Sequence, residues 1–165
     1  MDETTILARR IRLLLIFFIF ALVISGLTAV PLQTELALLD SIVGEGSAVQ
    51  SWCPSLARWI SHVHVGVVNT HQQYPFMAYG TDWLAFAHIV IAVAFIGPLR
   101  DPVKNVWVVE FGMIACVLVI PLAVICGPLR GIPWFWILID CSFGIFGIVP
   151  LWLTRRYIKR LEAIC

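Results

Sequence analysis

Ile132 to Leu153 reads IPWFWILIDCSFGIFGIVPLWL, 22 residues that carry a single charge, Asp140. A helix rises about 1.5 Å per residue, so the run covers roughly 33 Å, enough for a hydrocarbon core of about 30 Å. It leads straight into Arg155, Arg156, Lys159 and Arg160, a basic end expected at the cytoplasmic side of a span. A carboxyl inside such a run costs about 2.5–3.5 kcal/mol on insertion scales, so Asp140 should face protein or water rather than lipid.

The rest of the chain repeats this apolar character. It is 61% hydrophobic and 13% charged, about half the charge of an ordinary soluble domain. On that ground a membrane protein is expected, not a soluble fold. No glycine-rich phosphate loop is present, and no basic–aromatic interleaving suits a nucleic acid, so nucleic acid is not an expected partner.

Working back from the last span, Gly127-Pro128-Leu129-Arg130 ends a third apolar segment, 106–126. That segment holds Glu110 near its start and Pro121 in its interior, where a lost backbone hydrogen bond should kink the helix near Val117. With so few residues between them, spans three and four should form a tight antiparallel hairpin. A second span, 81–98, is capped by Thr81 or Asp82 and stops at Gly97-Pro98. The first, 13–30, follows Arg9, Arg10 and Arg12 and resembles a signal peptide. Leu27, however, stands where a cleavage site wants a small residue, so the run is read as a retained first span.

Residues 32–80 form the only long non-spanning segment. Thr34–Val43 shows an apolar helical face, and after Pro54 the residues Leu56, Trp59, Ile60, Val63 and Val67 recur at helical spacing. An interfacial amphipathic helix is expected there, followed by a turn-rich return over 69–80.

With the N-terminus inside, nine of the eleven Lys and Arg lie on the cytoplasmic side, and only Arg58 and Arg130 lie outside. The expected architecture is therefore an all-α integral membrane protein with four spans and both termini cytoplasmic. A helical external segment separates spans one and two, and the location is the plasma membrane.

Depth arithmetic selects the candidate site. His88 lies six residues below Asp82, about 9 Å, and Asp140 eight below Ile132, about 12 Å, so both could share one outer-leaflet layer. A carboxylate beside an imidazole raises its basicity and fixes its tautomer, so His88 and Asp140 are the candidate catalytic pair. An interhelical hydrogen bond is the simpler reading of the same pair. Asp140, Gly144 and Gly147 make a small-residue stripe, as do Ala85, His88 and Ala92, so both helices should pack closely on these faces. Arg130, Asp82 and Glu110 are further candidate ligand contacts. Asp82 is more simply a helix cap, and Glu110 equally suits an ion pair with Arg100, Lys104 or a C-terminal basic residue.

His62, His64 and His71 invite a metal reading, weakest among the alternatives. His64 and His71 share a helical face but stand roughly 10 Å apart, and a shared ion would need a third ligand such as His88 or Asp82. Haem held by two transmembrane histidines is disfavoured, since only His88 falls within a span. Five cysteines show no zinc or redox spacing, and Cys53 with Cys126 is the one pair near the oxidising face.

The functional expectation is a small polytopic protein whose outward-facing polar pocket binds, or also transforms, a lipid-like or amphiphilic molecule. The alternatives are an accessory subunit of a larger membrane complex and a metal-handling protein. Membrane lipid is the expected partner, with a homo-oligomer or larger assembly open.

Overall fold

The computed structural model describes residues 3–164; helices and short connections make up all of them, with no strand among them. Seven α-helices follow in order: α1 Glu3–Thr28, α2 Leu32–Val43, α3 Pro54–Gln73, α4 Tyr79–Ala94, α5 Ile96–Arg100, α6 Val106–Leu129 and α7 Trp134–Ile164. Short 3₁₀ turns cover Ala48–Ser51 and Pro75–Ala78. Four stretches are long and apolar enough to cross a membrane: Glu3–Thr28, Pro75–Arg100, Val106–Leu129 and Trp134–Ile164. They coincide with the four expected spans.

The chain divides into two compact units, Met1–Ala21 with Ile91–Cys165, and Leu22–Val90. In the first unit α6 and α7 form the expected hairpin, joined by Arg130–Pro133. Gly131 makes that connection possible. Its φ of +70° lies in the left-handed region that side chains resist, and the next amide, Ile132 N–H, donates back to Gly127 O at 3.0 Å.

Close packing of the hairpin depends on absent side chains. A Cβ on Gly144 would strike the Cys116 carbonyl of α6, and one on Gly147 would lie 2.9 Å from Cys116 Sγ. The small-residue stripe of α7 therefore does bring its partner helix in. Below it, Leu151, Thr154 and Ile158 are fully buried, together with Phe95 and Val109. The N-terminal half of α1 adds Leu7, Ile11 and Leu15, spaced one turn apart and all buried, and stacks Phe18 on Phe95 at 4.8 Å.

Helix α7 runs eleven residues past the expected end at Leu153. The apolar segment stops there, but Arg, Lys, Glu and Leu are good helix formers and carry the helix onward. Arg160 pairs with Glu3, and Arg10 lies over the Tyr157 ring.

In the second unit α2 packs on α3 through Leu36, Ala57 and Ile60. The end of α1 approaches α4 at Gly26, where a Cβ would sit 2.8 Å from His88 Cβ and 3.0 Å from Ala85 O. Two local expectations give way here. Asn69–Gln73 is helical, not a turn, and α4 begins at Tyr79, so Thr81 and Asp82 stand inside its first turn instead of capping it. Pro75 is the cause. Its fixed φ starts a 3₁₀ turn that leads directly into α4, and Thr81 Oγ1 donates to Ala78 O at 2.7 Å.

Candidate ligand-binding groove

Helix α3 starts at Pro54, a residue suited to the first helical position because its missing N–H has no partner to lose. Its apolar residues divide between two faces. Ala57 and Ile60 are buried toward α2. Trp59, Val63, Gly66 and Val67 line an open groove of about 550 Å³ on the other face, a volume typical of small-molecule sites. The amphipathic pattern seen in the sequence thus merged two surfaces into one.

Three stretches of chain build the groove. The turn after α1 and the start of α2 provide Val30–Thr34, α3 provides its face from Trp59 to Tyr74, and Met77, Ala78 and Thr81 close the far wall. Two of these three stretches adjoin the ends of candidate spans, Glu3–Thr28 and Pro75–Arg100. The groove therefore opens beside apolar helix ends. Its polar groups come from Gln33, Thr34, Trp59, His62, Thr70, His71, Tyr74 and Thr81; no Asp, Glu, Lys or Arg lines it. The Trp59 and His62 rings lie 5.9 Å apart and tilted by 32°, an aromatic edge to the groove.

A polar cluster fastens α2 to α3 near the opposite end of α2. Ser61 Oγ donates to Asp40 Oδ1 at 2.5 Å, and His64 Nδ1 donates to Asp40 Oδ2 at 2.8 Å. Ser61 Oγ in turn accepts from Glu45 N–H at 2.9 Å. Gly44 allows this closeness, since any Cβ there would collide with the Asp40 carboxylate. The Ser61 hydroxyl, then the His64 ring, hold the Asp40 carboxyl below the usual carboxylate range, against a smaller opposing effect of burial. Sequence reading singled out neither Asp40 nor Ser61. A readable signal existed: Asp40 stands one turn after Leu36, and His64 one turn after Ile60, so polar groups sit on apolar faces.

The residues expected to form the site fall as follows. His88 donates from Nδ1 to Leu84 O, 2.8 Å away on its own helix, which fixes a proton on Nδ1. Asp140 is half-buried on the stripe of α7 one turn before Gly144. His88 belongs to the second compact unit and Asp140 to the first. Glu110 accepts from Arg155 Nε at 2.7 Å, an ion pair with a C-terminal basic residue. Arg130 is exposed at the end of α6, and Asp82 is exposed in the first turn of α4.

His62, His64 and His71 point to different surroundings along α3. His64 is turned to Asp40 while His62 and His71 face the groove. All three ride on the rigid α3, which holds them apart, and among the described residues no three His, Cys, Asp or Glu side chains converge. Cys53 and Cys126 are free, exposed thiols.

The fold defines a helical protein with four candidate membrane spans and a groove-bearing segment between the first two. Compared with protein-family models, curated proteins and solved structures, the chain matches none.

Proposed function

We propose that the chain is a small polytopic plasma-membrane protein that binds a lipid-like or amphiphilic small molecule along α3. In this reading both termini lie in the cytoplasm and the 32–80 segment faces outward, which the placing of nine of eleven Lys and Arg supports. This reading puts the ligand in the groove instead of the His88 and Asp140 layer. The supporting observation is the groove itself: about 550 Å³, mixed apolar and hydrogen-bonding lining, at the ends of two apolar helices.

Gly66 offers a direct test. A Cβ there meets no atom within 4 Å, so Gly66→Phe starts without a backbone clash and carries its ring into the groove that Gly66 lines. Replacing glycine inside a helix also favours that helix by roughly 0.5 kcal/mol. Native mass spectrometry of protein purified in mild detergent should find an amphiphile on the wild type, with at least tenfold lower occupancy in Gly66→Phe. Equal occupancy in both would refute the groove as the site. A stable larger hetero-assembly lacking any bound amphiphile would support the accessory-subunit reading in its place.

A further inference from the structure

The lining also limits what kind of amphiphile can bind. We infer that the ligand carries an uncharged, oxygen-bearing head, as a monoacylglycerol does, and not an ionised one; this rests on the groove being the binding site. Sixteen residues line the groove and none is Asp, Glu, Lys or Arg. An ionised head would give up part of its hydration on entry and find no fixed countercharge to replace it.

The charged residues adjoining the lining in sequence do not supply one. Arg58, next to Trp59, turns its Nε back to Pro54 O at 3.3 Å. Asp40, on the α2 wall, is committed to Ser61 and His64. Asp82, after Thr81, is exposed in α4 and absent from the lining. Glu35, after Thr34, is likewise outside it.

What the groove does offer matches hydroxyl and carbonyl groups. Threonine hydroxyls, the Tyr74 hydroxyl and the Gln33 amide each donate and accept, as the hydroxyls of a glycerol head do. A phosphate or carboxylate only accepts, and would leave acceptors in the lining unmatched. An alkyltrimethylammonium head offers no conventional hydrogen bond at all. Along α3 the lining is apolar at Val63, Gly66 and Val67 between polar ends at His62 and at Thr70–His71. From Trp59 to Tyr74 the helix rises about 22 Å, room for a long acyl chain beside the head.

Three probes with the same acyl or alkyl length separate head charge from tail: a monoacylglycerol, a lysophosphatidylglycerol and an alkyltrimethylammonium. Delipidated full-length protein is titrated with each by native mass spectrometry, wild type beside Gly66→Phe. The expected result is at least tenfold tighter binding of the monoacylglycerol than of either ion, lost in Gly66→Phe. Binding that is lost in Gly66→Phe yet equal or tighter for an ionic probe overturns the head-group inference and leaves the groove standing. Failure of all three probes, or binding insensitive to Gly66→Phe, overturns the inference together with the groove.

Discussion

Removing the Asp40 carboxylate tests the junction between α2 and α3. Asp40→Ala deletes the acceptor for both Ser61 Oγ and His64 Nδ1, at 2.5 and 2.8 Å. Hydrogen bonds to a charged group contribute about 1.5–3 kcal/mol each when well shielded. Asp40 and His64 are each 24% exposed, so water takes over part of both contacts. About 2 kcal/mol is the net expectation, a factor of roughly 30 in the local opening of α2. Hydrogen exchange read by mass spectrometry should show α2, Leu32–Val43, losing about that much protection at neutral pH, while α6 keeps its own. The pH limb has a definite sign. Asp40 titrates lower in the folded chain than in the unfolded one, so its stabilisation is complete above the unfolded value of about 3.9 and fades as pH falls through the folded value. Wild-type protection of α2, corrected for intrinsic exchange, should therefore hold from neutrality to about pH 4 and drop below it, with no such Asp40 contribution in Asp40→Ala. Identical protection in the two proteins at pH 7 would refute the junction.

Two other substitutions probe the first unit. Gly144→Leu drives a side chain into the Cys116 carbonyl, an overpacking worth about 1–3 kcal/mol; its thermal midpoint in detergent should fall well below that of Gly66→Leu, whose Cβ meets open space. Glu110→Gln breaks the pair with Arg155, but both side chains are 40% exposed or more, so the loss should stay within about 1 kcal/mol and the midpoint should barely move. A large drop would show that the pair matters far more than its exposure implies.

The four spans were legible because hydropathy over about twenty residues needs no knowledge of packing. The glycines at 144 and 147 were equally readable, since a missing side chain signals close approach whatever the partner. Element ends were less so. Leu153 ends the apolar run, yet α7 continues because helix propensity and apolarity are separate properties and only apolarity stops there. The groove escaped notice for a different reason. Its lining comes from residues 30–34, 59–74 and 77–81, and no single helical period links three stretches that meet only after folding. Charged and histidine residues drew attention to His88 and Asp140, whereas the groove is marked by the absence of charge.

The two faces of α3 explain how a short segment between spans can keep an open groove. An amphipathic helix with a single apolar stripe buries that stripe against its partner and leaves none to line a cavity. Here Ala57, Ile60, Ser61 and His64 take up α2, and Trp59, Val63, Gly66 and Val67 line a cavity on the other face. The start of α2, Leu32–Thr34, serves as a wall of that cavity, and its far end is fixed by Asp40. Wall and fastening are thus about two turns apart on one rigid helix. Side chains can change inside the groove at Gly66 without touching the fastening, and Asp40 can be removed without adding volume to the groove. Occupancy and helix protection are consequently independent readouts, and a variant that altered both together would indicate that α3 itself had shifted.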